Sequence, residues 1–127
     1  MDDVAGWFDE YLAAFMACAR RERDVAVLLD YYAVPLLVTT AVGAFPLMTA
    51  DEVTGLLDQQ VATLWDASYA RTELVTSRVT VLNSTSALVD GTFSRQRGDG
   101  TEIDHPTVTY LIADSPAGRR IHVLAAH

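Results

Sequence analysis

The residues with most chemical potential in this chain are three tyrosines, two carboxylates and two histidines: Tyr11, Tyr32 and Tyr110, Asp90 and Asp104, His105 and His127. One acid or base tuned by burial, with phenol hydroxyls to position a carbonyl or enol, is enough for a dehydration, an isomerisation or a cyclisation. On that chemistry Asp104, His127 and Tyr11 are the candidate catalytic groups. Tyr32, Trp65, Phe93, Arg95 and Tyr110 are the candidate ligand contacts. Asp104 has a second role open to it, as the ion-pair partner of Arg95 across a hairpin, a contact worth little when exposed. Asp90 with His105 forms a competing acid-base pair on the other side of the same hairpin. His122 and His127 differ in strand parity and have no Glu or Cys at ligand spacing, so no metal is expected. No glycine-rich phosphate loop is present, so no nucleotide cofactor is expected either. Cys18 reads as a small core residue.

Composition narrows the partners. Seventeen acidic residues stand against nine basic ones, all arginine, for a formal net charge of −8. A phosphate backbone is bound mainly through clustered Lys and Arg, so nucleic acid is not an expected partner. Half of the 127 residues are apolar and 20% are charged, which provides a core for one domain over 1–127. A single cysteine excludes an internal disulfide. No apolar run approaches the roughly 20 residues that span a bilayer. The acidic start, Met1-Asp2-Asp3, lacks the pattern of a signal peptide. The expectation is a cytoplasmic protein without a membrane partner.

The elements that must hold these residues follow from periodicity. From Asp3 to about Arg21, Val4, Trp7, Phe8, Tyr11, Leu12, Phe15 and Cys18 recur at spacings of three and four, predicting an amphipathic helix with an aromatic face. Asp24 caps a second, shorter helix through Val25, Leu28, Leu29 and Tyr32, stopped by Pro35. Pro35 to Thr40 reads as a strand, with a return at Phe45 to Met48 after Gly43. Thr49-Ala50-Asp51-Glu52 is a capping-box pattern opening a third helix whose stripe is Val53, Leu56, Leu57, Val61, Leu64 and Trp65. From Arg71 onward, Asn83-Ser84-Thr85, Gly98-Asp99-Gly100 and Ser115-Pro116-Ala117-Gly118 separate four long β-type runs. This is an α+β pattern: three helices in the N-terminal half packed on a mostly antiparallel sheet.

The central hairpin can be aligned residue by residue. With Asp99-Gly100 at the centre of the turn, Arg97 faces Glu102, Arg95 faces Asp104, Phe93 faces Pro106, Gly91 faces Val108 and Val89 faces Tyr110. These residues share one face, apolar away from the tip, which should meet the helices. The other face collects Thr92, Thr107, Asp90, Thr109, Ser94 and His105.

The order of two helices, a short hairpin, a third helix and a long meander resembles the nuclear transport factor 2-like, or cystatin-like, cone fold. Tyr31-Tyr32 through Pro35-Leu36-Leu37-Val38, Arg95 through Asp99-Gly100-Thr101-Glu102, Thr109-Tyr110-Leu111 and Gly118-Arg119-Arg120-Ile121 with a terminal His127 resemble SnoaL-like members of that superfamily. Arg119 stands where many relatives carry tryptophan. The resemblance implies a strongly curved sheet closing into a cone with an apolar pocket. In that setting His127, sharing parity with Ile121, Val123 and Ala125, points into the mouth of the cone. The segment Tyr11-Leu12-Ala13-Ala14-Phe15 resembles the first helix of ketosteroid isomerase. Thr39 and Thr40 occupy the place of that enzyme's carboxylate base and cannot remove a carbon-bound proton. Two functions stay open: a cofactor-independent isomerase, dehydratase or cyclase acting on a small apolar or polyketide-like substrate, and a non-catalytic domain binding a small ligand or a protein. A homodimer paired through the outer sheet face is expected with either, as a moderately polar interface.

Overall fold

A computed structural model describes residues 1–127. Helix α1 (Val4–Ala19) forms where the apolar spacing predicts it, burying Val4, Phe8, Tyr11, Ala14, Phe15 and Cys18 along one face. Asp24 caps the next element, its carboxylate accepting a hydrogen bond from the Ala26 amide at 2.8 Å. That element is a six-residue 3-10 helix, Val25–Asp30, rather than the expected α-helix reaching Tyr32. So few residues between a cap and a strand leave room only for short, tight turns. Tyr32 instead begins strand β1 (Tyr32–Thr40), which β2 (Gly43–Leu47) pairs antiparallel. Helix α2 (Ala50–Asp66) opens on Thr49, whose hydroxyl accepts from the Glu52 amide at 3.2 Å. The Glu52 carboxylate reaches back one residue beyond the cap, to the Met48 amide at 2.9 Å. Neither α-helix is long and apolar enough to cross a membrane.

The second half supplies β3 (Tyr69–Asn83), β4 (Ser86–Arg97), the short β5 (Glu102–Asp104), β6 (Thr107–Ser115) and β7 (Gly118–Ala126). The sheet order is β2-β1-β7-β6-β4-β3, with β5 on β4. All pairings are antiparallel except β1 with β7. The helices therefore comprise two α-helices and one 3-10 helix, and β1 and β2 precede α2 in the chain. One face of this curved sheet meets the helices and contributes Leu36, Val89, Phe93, Tyr110, Ile112 and Ile121 to a single core.

Register decides which side chains reach that inner face. Val89 faces Tyr110, Gly91 faces Val108 and Arg95 faces Asp104, as the hairpin alignment predicts. The tip differs. Gly100 has a φ of +87°, and the Gly100 amide bonds the Arg97 carbonyl at 3.0 Å while the Arg97 amide bonds that of Thr101 at 2.9 Å. This closes a three-residue turn in place of a two-residue one. Gln96 rather than Arg97 then faces Glu102, and Ile103 is the extra residue that restores the register at Asp104. A second irregularity lies in β7. Leu111 faces Val123 but Ile112 faces Ile121, so His122 is bulged out of the pairing. A one-residue bulge reverses the alternation beyond it. Leu124 is buried inside, while Ala125 and His127 fall on the outer face with Thr107 and Thr109.

Gly91 is required by its neighbour. A Cβ there would stand 2.7 Å from Cζ of Phe93, whose ring lies over the glycine.

Candidate functional site

Between α1 and the inner face lies a cavity of about 170 Å³. Tyr11, Leu12 and Phe15 come from successive turns of α1, Tyr32 from the start of β1, Phe93 and Arg95 from β4, and Val108 and Tyr110 from β6. Gln60 of α2, Thr72 of β3, Pro106, Leu124 and Ala126 complete the wall. Nine of its thirteen residues are hydrophobic, and Arg95 is the one charged side chain.

Three phenols define the polar part of the wall. Tyr11, Tyr32 and Tyr110 are 3%, 2% and 6% exposed, so their hydroxyls depend on the protein and on one another. The Tyr11 and Tyr32 hydroxyls are hydrogen-bonded to each other. The Tyr11 ring lies edge-on to both partners, with centroids 5.5 Å from Tyr32 and 6.0 Å from Tyr110. Burial pushes the Tyr11 and Tyr110 phenols well above the ordinary tyrosine range; Tyr32 raises Tyr11 further and Tyr11 raises Tyr110, while Tyr110 pulls Tyr11 back. Tyr32 is pushed up by burial and next by Tyr110, with the bond from Tyr11 opposing. The positive charge of Arg95 pulls Tyr11 and Tyr110 slightly back. All three are therefore protonated donors at physiological pH. Each phenol carries one O–H proton. The Tyr11–Tyr32 bond uses one of these, and the Tyr110 hydroxyl is bonded to neither partner, so at least one proton is left to offer inward.

The structure brings together five of the eight residues singled out from sequence: Tyr11, Tyr32, Phe93, Arg95 and Tyr110 all line this cavity. The other three lie elsewhere. Trp65 is half exposed on the flank of α2, with the Arg21 guanidinium 5.9 Å from its ring centroid. Leu64, one residue earlier, takes the buried position, and the 100° step of a helix carries Trp65 off the stripe. His127 does not point into the cone. Its Nε2 lies 2.8 Å from the Thr109 hydroxyl, which donates to Asp90 at 2.5 Å. The bulge at His122 is the cause. Asp104 lies beside the cavity, in an adjoining groove that shares Arg95 and Gln60 with it. Its carboxylate takes Nε of Arg95 at 2.6 Å and Nη2 at 2.5 Å.

The competing pair also separates. His105 Nδ1 is 3.0 Å from Glu102, whose carboxylate also accepts from the Ser94 hydroxyl at 2.6 Å. Those contacts, the serine first, hold Glu102 below the usual carboxylate range. Asp90 instead serves Thr109. Sequence reasoning missed Gln60 and Thr72. Gln60 was legible as a polar residue flanking the stripe of α2 beside Val61, whereas Thr72 carried no signal within an exposed-looking strand.

The chain's likeness to known proteins follows the same architecture. No curated protein matches the sequence significantly. Among solved structures, a cystatin-like domain of unknown function from Nostoc punctiforme superposes with a TM-score of 0.71 at 15% identity, over 99% of this chain and 77% of that one. An NTF-2 like protein of unknown function from Shewanella oneidensis gives 0.68 at 14% identity, over 94% of each chain. The yeast UBP3-associated protein BRE5 gives 0.71 at 16% identity, over 100% of this chain and 97% of that one. At such identities the likeness is one of fold. The family model described as NTF2-like protein (DUF6841) matches residues 2–127, and the chain belongs to that family.

Proposed function

We propose that this domain binds a small, largely apolar molecule carrying one hydrogen-bond acceptor, such as a carbonyl. The observation that carries the reading is the tyrosine cluster: protonated phenols in an apolar wall with at least one O–H proton left for a guest. An unpaired donor in such surroundings costs about 1–3 kcal/mol, which an acceptor in the cavity recovers. The cavity of about 170 Å³ is close in size to engineered cavities of about 150 Å³ that take up benzene. A single six-membered ring with a short substituent is therefore the class of guest it fits. With this reading go membership among the SnoaL-like proteins of the superfamily and a cytoplasmic location. Pairing into a homodimer through the outer face of Thr92, Thr107 and Thr109 belongs to the same reading, and light scattering at the monomer mass would count against it.

A cofactor-independent isomerase, dehydratase or cyclase is the second reading. The same phenols favour it, since preorganised donors in a low-dielectric wall stabilise a developing enolate. Such a reaction also needs a proton acceptor, and the cavity lining contains no carboxylate or imidazole. Binding without turnover is therefore the preferred reading. Titration with acetophenone, followed through tyrosine ring signals by NMR, tests it. Saturable binding should weaken about tenfold in Tyr11→Phe, the value of one hydrogen bond. Failure of small aromatic carbonyl compounds to bind the unmodified domain at all would overturn it.

A further inference from the structure

We propose that the Arg95–Asp104 pair at the edge of the cavity is a charge filter that admits neutral carbonyl compounds and turns away the matching carboxylates, with Asp104 setting the preference. The inference rests on the ligand-binding reading above and narrows it to a chemical class. Arg95 belongs both to the cavity wall and to the adjoining groove, so its guanidinium stands at their boundary. Asp104 lines only the groove. From there it engages Nε and Nη2 together, at 2.6 and 2.5 Å, a bidentate arrangement that fixes the plane of the guanidinium and matches its charge. Nη1 makes no hydrogen bond to the protein and remains as a donor.

A guest reaching Arg95 from the cavity therefore meets a donor without a net charge behind it. A neutral carbonyl gains the Nη1 or phenol hydrogen bond and loses little on leaving water. A carboxylate gains the same bond but gives up its hydration in an apolar wall and comes to lie near the Asp104 carboxylate. The overall charge of −8 adds repulsion of the same sign at longer range. If Asp104 loses its charge, the balance inverts, because the guanidinium becomes an unmatched cation suited to a carboxylate. Asp104 is held in place by strand register opposite Arg95, and its side chain is 42% exposed, so replacing it leaves no buried gap.

Acetophenone and benzoate test the filter, since they share the ring and differ in the charge of the polar group at neutral pH. Isothermal titration of the unmodified domain should show acetophenone favoured at least about tenfold. Asp104→Asn should raise benzoate affinity about tenfold or more while changing that of acetophenone by less than about threefold. Asp104→Ser, which lacks the amide as a replacement acceptor, should act in the same direction. Arg95→Gln should abolish the gain when combined with Asp104→Asn. Circular dichroism and urea midpoints confirm that each variant is folded. If acetophenone binds and neither Asp104 variant changes the ratio, the filter is overturned and the cavity reading stands. If neither probe binds any of these proteins, both readings are overturned.

Discussion

The two faces of the same four residues, Asp90 to Phe93 of β4, follow different rules. On the outer face polar side chains satisfy one another in reach of water: Thr92 with Thr107 at 3.0 Å, and Asp90 with Thr109 and then His127. On the inner face Gly91 and Phe93 build a wall in which a few phenols have only one another and Arg95. The outer face holds more of the side chains usually associated with acid-base chemistry, the inner face fewer but with their hydrogen-bonding capacity unspent. The proposed binding therefore lies where polar groups are scarce and under-committed.

Raising the pH should break this contrast most severely. Burial lifts the cavity phenols above their ordinary value near 10. Between that value and the folded one, the unfolded chain loses these protons while the fold keeps them. Stability from the phenols is thus complete below pH 10 and is lost as pH rises towards the folded values. The loss is about 1.4 kcal/mol per pH unit for each such phenol. Three together soon approach the whole stability of a small domain, about 5–15 kcal/mol. The phenolate absorbance of these tyrosines should appear together with loss of far-ultraviolet dichroism. Full ionisation of all five tyrosines in a folded protein would contradict it.

Substitution of adjacent residues sharpens the contrast. Phe93→Ala empties an inner position and should cost about 3–5 kcal/mol in urea unfolding. Thr92→Ala removes one partly exposed hydroxyl contact and should cost about 1 kcal/mol or less. Similar values for the two would mean that the faces are not energetically distinct. Gly91→Ala should fall between, at about 1–3 kcal/mol, because the new methyl group must displace the Phe93 ring. A ring driven inward also narrows the cavity, so acetophenone affinity should fall with stability.

What was legible in the sequence was local. The α1 stripe and the Thr49 cap depend on residues three and four apart, and both form. The deep hairpin pairs from Val89–Tyr110 to Gly91–Val108 also form, because apolar alternation on both strands fixes register wherever one face is buried. The tip was less legible, since Gly98-Asp99-Gly100 serves a two-residue or a three-residue turn, and only the Arg97–Thr101 backbone bond distinguishes them. Trp65 and Tyr32 show a related limit: helical periodicity marks neither the edge of a stripe nor the place where a short helix yields to a strand. The cavity itself depends on seven separate elements converging, which no spacing within one segment encodes.

The smallest expected effect is the most discriminating. By unbroken alternation His127 shares a face with Ile121 and so with the cavity. The His122 bulge reverses this, and the His127 amide bond to Thr107 at 3.0 Å anchors the residue after the reversal. Its imidazole then contacts Thr109 in reach of solvent, where a lost hydrogen bond is replaced by water. His127→Ala should accordingly change unfolding free energy by less than about 0.5 kcal/mol. It should leave acetophenone affinity within about twofold of the unmodified domain, since Ala126 and Leu124 are the β7 residues that line the cavity. A tenfold loss of affinity without loss of stability would put the imidazole inside. The bulge would then be absent in solution, and with it the separation of an outer polar network from an inner phenol cluster.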